Sequence, residues 1–260
     1  MAEAVEIIRL WEGPAPLAVG GAPGDIPALE VFPAPGPGPG LLVCPAGGYA
    51  RLSLAPAREV AAWLAEKGIH AFVLRYRVAP YRHPCPLLDA QRALRLLRHQ
   101  AGRLGLDPGR LGVLGFSAGA HLACCAATHF NEGDLLAPDE VERKSCRPDL
   151  QVLVAPVVTM GAKAHAGSKE NLLGPHPDSL MVDYLSGERQ AGGRTPPAFL
   201  AVSNQDHTVR AQANAEPYAL ALQRASVPHE LFRADMGEHG FGLRPDWAEA
   251  CLEWLRKRGF

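Results

Sequence analysis

The chain has 260 residues, a formal net charge of −1 from 26 basic and 27 acidic residues, and 47% hydrophobic residues. That balance suits one domain with a sizeable core, expected over residues 1–260, and excludes a nucleic-acid-binding surface. No basic segment leads into an apolar stretch at the N-terminus and no apolar run approaches the ~18 residues of a membrane helix, so a soluble, cytoplasmic protein with no membrane partner is expected. From the N-terminus, Val5 to Trp11 is a short apolar stretch, Ile26 to Phe32 has the composition of an edge strand, and the Pro- and Gly-rich run Pro33 to Gly40 reads as a loop. Leu41 to Cys44 is an apolar strand that runs directly into Pro45-Ala46-Gly47-Gly48-Tyr49. A strand ending in consecutive glycines exposes backbone N–H groups with no side chain in the way, and Gly47 and Gly48 are candidate donors to an oxyanion.

Pro56 to Lys67 carries Val60, Trp63 and Leu64 at helical spacing and stops at Gly68. Ile69 to Tyr76 is the next strand, and Val78 to Pro86 is a loop broken by prolines. Leu87 to Leu104 reads as a helix with Leu88, Leu94 and Leu97 on one face and Arg92, Arg95 and Arg98 on the other, the arginines expected in solvent. Asp107-Pro108-Gly109 then turns the chain.

The strand that follows enters Gly115-Phe116-Ser117-Ala118-Gly119, a G-x-S-x-G pattern, and Ala118 to Thr128 has the makings of a helix. A serine on a strained strand-to-helix turn needs small flanking residues, since a Cβ there would collide with the neighbouring strand or helix. The N–H of Ala118 and the positive end of the helix dipole would then lie beside the Ser117 hydroxyl. Asn131 to Pro148 is a charged loop and Leu150 to Val158 an apolar strand. Met160 to Pro197 holds no clear strand and reads as an insertion over the strand ends, a cap or lid. Ala198 to Ser203 is strand-like, Ala211 to Arg224 helical, His229 to Ala234 a strand, and Trp247 to Lys257 a terminal amphipathic helix. Strand and helix alternate, which implies a parallel sheet with right-handed crossovers and a ligand site at the carboxyl ends of its strands.

Acyl transfer at Ser117 requires a base and an acid that orients it, in the order Ser, Asp or Glu, His, each from a loop after a strand. Asp206 and His239 meet both conditions. His207 would point elsewhere, His121 suits a structural histidine, Glu238 suits solvent, and Asp178 and Asp183 lie in the insertion. Tyr49, His165 and Asn171 are candidate substrate contacts. The six cysteines (Cys44, Cys85, Cys124, Cys125, Cys146, Cys251) have no C-x-x-C spacing and are expected to be reduced thiols rather than disulfides or zinc ligands.

P-A-G-G-Y at 45–49, F-V-L-R-Y-R at 72–77, H-P at 83–84, D-A-Q-R-A at 89–93, G-F-S-A-G-A-H-L at 115–122, N-L-L-G at 171–174 and H-G-F at 239–241 together resemble the α/β-hydrolase esterases that include acetyl xylan esterases and bifunctional feruloyl and acetyl esterases. The resemblance covers nearly the whole chain. It implies an α/β-hydrolase fold, a mostly parallel central sheet flanked by helices with a short cap insertion at 160–197. It also implies a carboxylic ester hydrolase without cofactor or metal, acting on small-molecule or oligosaccharide esters, commonly acetylated sugars. Ser117, Asp206 and His239 match the triad positions, and Gly47, Gly48 and Ala118 the oxyanion donors. Ala46 departs from the pattern, which usually has a further glycine there, and Asn204-Gln205 fall where members vary. A related arylformamidase or peptidase, or a non-catalytic binding protein on the same fold, are the alternative readings; no propeller precedes the catalytic segment as a peptidase would suggest, and none of the three triad residues is lost as a binding protein would suggest.

Overall fold

The computed structural model describes residues 4–260. In chain order the elements are β1 (Glu6–Arg9), β2 (Ala28–Phe32), β3 (Gly38–Cys44), α1 (Leu54–Glu66), β4 (His70–Arg75), α2 (Cys85–His99), α3 (Ala101–Leu104), β5 (Leu106–Phe116), α4 (Ala118–Thr128), β6 (Gln151–Val154), α5 (Ala166–Leu173), α6 (Ser179–Tyr184), α7 (Gly187–Gln190), β7 (Ala198–Ser203), α8 (Ala215–Arg224), β8 (His229–Ala234) and α9 (Pro245–Arg256). The strands form one eight-stranded sheet in the order β1-β2-β4-β3-β5-β6-β7-β8. β1 and β2 are antiparallel to their neighbours, and every pair from β4 to β8 is parallel. From β3 the chain crosses to β4 on one side and then returns to β5 on the other. That reversal opens a crevice beyond the carboxyl ends of β3 and β5.

Helices cover both faces, which is why the central strands read as unbroken apolar runs rather than alternating ones. Along β3, Leu41 and Val43 pack with Val60 and Leu64 of α1 and Trp247 and Leu255 of α9, while Leu42 and Cys44 point to the other face, among Leu94, Leu97 and Leu122. Each fully buried leucine contributes on the order of 1.5–3 kcal/mol.

Several boundaries differ from expectation. β3 begins at Gly38, inside the run read as a loop, where Gly38 pairs with Leu106 and Gly40 with Leu111 of β5. The Asp107-Pro108-Gly109 turn is a bulge inside β5, where partners step from Gly38 with Leu106 to Gly40 with Leu111. β6 ends at Val154, since Ala155 has φ 46° and turns the chain out of the sheet. The insertion folds into α5, α6 and α7 with no strand.

The arginine face of α2 is a correction. Arg92 and Arg95 are only 7% and 6% exposed, because the segment 131–148 lies across them. Arg92 Nη1 meets Asp139 at 2.6 Å and Glu142 at 2.7 Å, and Arg95 Nε meets Glu142 at 3.1 Å. For Arg92, carboxylates some fifty residues downstream thus take the place of water; Arg95 donates through Nη2 to Asn131, with Glu142 beside its guanidinium. All six cysteines are free thiols buried in the interior. Among the described residues no helix is long and apolar enough to cross a membrane, and no group of three or more His, Cys, Asp or Glu side chains is arranged to hold a metal.

Candidate active site

The parallel strands β3 and β5 bring Cys44 opposite Gly115, so the glycine loop and the serine turn leave the sheet side by side. Ser117 stands at φ 53°, ψ −117°, a conformation that costs a side-chain-bearing residue roughly 1–3 kcal/mol. Its N–H donates to the Val154 carbonyl at 3.0 Å, and its own carbonyl accepts from His121 N at 3.1 Å and Val157 N at 3.2 Å, so the surrounding backbone imposes the geometry. The flanking glycines are steric necessities. A Cβ on Gly115 would lie 2.2 Å from the Gly119 carbonyl oxygen, and one on Gly119 would lie 2.2 Å from that of Cys44.

Asp206 follows β7 and His239 follows β8. Asp206 Oδ2 accepts from His239 Nδ1 at 2.7 Å, and His239 Nε2 lies 2.8 Å from Ser117 Oγ. A carboxylate on Nδ1 requires the proton there, which leaves Nε2 free to accept the serine hydroxyl proton. The other carboxylate oxygen, Oδ1, accepts from the N–H groups of Thr208 at 3.0 Å and Val209 at 2.8 Å. Burial pushes the Asp206 carboxyl up, but the hydrogen bonds from His239 and from these backbone groups outweigh it and hold the group below its ordinary range.

Beside Ser117, every carbonyl of residues 45–49 is already engaged. Pro45 O accepts from the Tyr76 hydroxyl at 2.8 Å, Ala46 O from Ser53 N at 2.8 Å, Gly47 O from Ala50 N at 3.1 Å, Gly48 O from Asn171 Nδ2 at 2.9 Å, and Tyr49 O from Ala79 N at 2.8 Å. Among the described residues no acceptor takes the N–H of Gly47, Gly48 or Ala118. Gly47 has φ 135°, and a Cβ there would meet the Arg51 carbonyl oxygen at 2.0 Å, so no other residue fits. Ser117, His239, Gly47 and Gly48 line a cavity of about 430 Å³ whose further walls come from Phe116, Phe241, His165 and Asn171.

A family model described as alpha/beta hydrolase fold matches residues 42–243, most of the chain. The chain belongs to the α/β hydrolases. This α/β hydrolase is 42% identical to the acetyl ester-xyloside bifunctional hydrolase from Caldicellulosiruptor lactoaceticus, with a TM-score of 0.93 over 98% of this chain and 97% of that one. It is 31% identical over 204 residues to an acetylxylan esterase of Xylanibacter ruminicola, covering 76% of this chain and 40% of that protein. It is 33% identical over 210 residues to endo-1,4-beta-xylanase B of Butyrivibrio fibrisolvens, covering 79% of this chain and 33% of that protein. The chain therefore spans only about a third to two fifths of the length of these two relatives.

Within the α/β hydrolase the competing residues stand apart from Ser117. His207 and Glu238 are exposed, Asp178 caps α6 by accepting from Leu180 N at 2.7 Å, and Asp183 pairs with Arg189. His121 is fully buried between the Tyr49 hydroxyl and the Leu185 carbonyl, each at 2.7 Å. Tyr49 corrects the expectation of a substrate contact: it is 1% exposed, its ring packs edge-on against Tyr76 and His121, and it lies beneath the cavity rather than in its wall. His165 does line the cavity. Its Nδ1 accepts from Ser168 N at 3.2 Å, so the neutral ring carries its proton on Nε2, while burial, aided by His239 and opposed by Asp206, lowers its affinity for a second proton.

Three further contacts are not legible in the sequence. Gln205 Oε1 accepts from Gly237 N at 2.7 Å, and Asn204 Nδ2 donates to Asp235 at 2.7 Å, so the two residues before Asp206 latch its loop to the loop bearing His239. Ser203 Oγ joins them, donating to Gly237 O at 2.6 Å. The one available signal was the position of these short polar side chains between an apolar strand and a candidate acid.

Proposed function

We propose that this α/β hydrolase is a serine-dependent carboxylic ester hydrolase that removes acetyl groups from acetylated xylan fragments. The observation that carries the reading is the Ser117, His239 and Asp206 relay, with spacings of 2.8 Å and 2.7 Å, opening into a cavity beside unengaged backbone N–H groups. His239 Nε2 takes the Ser117 proton as Oγ attacks the acetyl carbon, and the carbonyl oxygen becomes an oxyanion held by the N–H groups of Gly47, Gly48 and Ala118. Asp206 stabilises the imidazolium. The imidazolium then protonates the departing sugar oxygen, leaving acetyl on Ser117. A water molecule, deprotonated by His239, attacks that ester; acetate leaves and Ser117 recovers its proton. Each well-placed oxyanion donor contributes roughly 10²- to 10³-fold in rate.

The acetyl and xylan preference is supported by the similarity to an acetyl ester-xyloside bifunctional hydrolase and an acetylxylan esterase. The 160–197 insertion supplies one wall as a cap, and the Nε2–H of His165 is a donor for a sugar hydroxyl. Among the described residues no Asp or Glu lines the cavity, so those residues supply no pair of carboxylates for a glycosidase mechanism there. The test is a screen of acetylated xylo-oligosaccharides, p-nitrophenyl acetate, p-nitrophenyl β-xyloside, an N-formyl arylamine and a peptide amide, with trapping by a serine-directed phosphonate. Acetate release from the first two, together with phosphonylation at Ser117, is expected. Turnover of formamide or peptide alone would replace the ester reading, and an unreactive Ser117 would end it.

A further inference from the structure

The loop 46–49 combines features that work against its own rigidity. Gly47 and Gly48 have little intrinsic conformational preference, and Gly48 and Tyr49 both lie in the left-handed region, at φ 64° and 59°. For Tyr49 that conformation is strained. Rotating the Gly48–Tyr49 peptide about its flanking bonds changes ψ of residue 48 and φ of residue 49 together, so a flip of this one unit would release the strain. Such a flip would also swing the Gly48 carbonyl away from its present direction and loosen the turn that presents the Gly47 and Gly48 N–H groups.

Among the described residues, the one hydrogen bond made by the Gly48–Tyr49 peptide itself comes from a side chain. The carbonyls of Ala46, Gly47 and Tyr49 are held by backbone N–H groups, whereas Gly48 O is held by Asn171 Nδ2 at 2.9 Å. Because the acceptor is a carbonyl, the Asn171 atom facing it must be the nitrogen. Asn171 is itself fixed from behind: the next residue, Leu172, is buried and its carbonyl accepts from His83 N at 3.0 Å. Gly174 lets the chain pass Arg82, since a Cβ there would stand 2.8 Å from the guanidinium Nη1. The N-L-L-G stretch is thus a bracket joining the insertion, the His83 loop and the glycine loop.

We propose that Asn171 is a positioning residue for the oxyanion donors, acting on the reaction through the Gly48 carbonyl rather than by touching substrate. The inference rests on the ester reading for its kinetic effect but not for the contact itself. Freed of this bond, the turn spends part of its time with its donors misdirected, which weakens binding of the tetrahedral intermediate more than binding of the ground-state ester.

The test compares wild type with Asn171→Ala and with Asn171→Asp, which keeps the shape but presents oxygen to oxygen when ionised. With p-nitrophenyl acetate near neutral pH, kcat is expected to fall roughly 10- to 100-fold in both while KM stays within about twofold. Amide hydrogen exchange over residues 46–53 is expected to quicken, with the β5 strand unchanged. A kcat loss in Asn171→Ala that Asn171→Asp restores would overturn the proposal, because space-filling would then suffice. So would a rise in KM at constant kcat, or unchanged exchange in the loop. A wild-type protein that hydrolyses no ester would refute the function instead, and exchange would still decide whether Asn171 holds the turn.

Discussion

The Tyr49 hydroxyl donates to Nδ1 of His121 across 2.7 Å, joining the residue after the glycine pair to the helix that starts at Ser117. The direction is set by the far side of the ring: the Leu185 carbonyl accepts from Nε2–H, so Nδ1 must be the acceptor. Burial is the main cause that lowers the His121 pKa to about 4. The unfolded chain therefore binds a proton near pH 6.5 that the folded chain refuses until about pH 4. Stability from this residue is complete above pH 6.5 and is lost as pH falls toward 4, by on the order of 3 kcal/mol. Denaturant melts at pH 7 and pH 4.5 should show the loss, and His121→Gln should flatten that part of the profile.

Replacing Ser117 or His239 with alanine should lower kcat/KM for p-nitrophenyl acetate by at least roughly 10⁴-fold with the fold intact, because the two act as a unit. Asp206→Asn should be milder, roughly 10³- to 10⁴-fold, since the ring remains but its tautomer is no longer dictated. Steady-state kinetics alongside circular dichroism makes the comparison. Wild-type turnover in Asp206→Asn would move the acid to another side chain.

Gly119→Ala should destabilise the protein by about 3 kcal/mol or more, as the added methyl meets backbone that cannot rotate away. Gly102→Ala, in α3 with nothing near the added atom, should instead stabilise by up to ~1 kcal/mol. Urea midpoints for both variants decide the matter, and equal effects would refute the steric account.

How far the sequence carried the site follows from where the constraints lie. The Ser117 turn was legible because its residues are contiguous: Gly115 is dictated by the backbone of Gly119 four residues on, and although Gly119 is dictated by Cys44 on β3, the two glycines still fall in one short pattern around the serine. Asp206 and His239 could be placed near Ser117 from the sequence because each follows a strand, one apolar and one alternating, in the order acyl transfer would need. The burial of Arg92 and Arg95 was not, since their partners Asp139 and Glu142 come from a segment with no periodicity. The inward turn of Tyr49 was equally hidden, as a loop side chain has no face until the sheet and α4 surround it. Asn171 reads from the sequence as a candidate substrate contact, but a side chain's commitment to one carbonyl is a tertiary fact.

Acyl length should discriminate sharply. Phe116, Val154 and Phe241 stand around Ser117 in the cavity wall, and chain atoms that do not fit remain in water or force repacking. Acetate should exceed butyrate in kcat/KM for p-nitrophenyl esters, with octanoate at least tens-fold below acetate. If octanoate is the best ester, the wall opens into a long channel and the carbohydrate reading falls.

The buried thiols bear on how this protein meets electrophiles. Burial pushes the thiols of Cys44, Cys85, Cys124, Cys125 and Cys251 away from ionisation, Cys124 up to about 12, and only a thiolate reacts readily. Iodoacetamide should therefore leave the folded protein unlabelled and modify all six cysteines once it is unfolded, as intact-mass spectrometry would record. If Ser117 is the nucleophile proposed above, covalent adducts of a serine-directed probe with the native protein should then count working centres rather than stray sulfur.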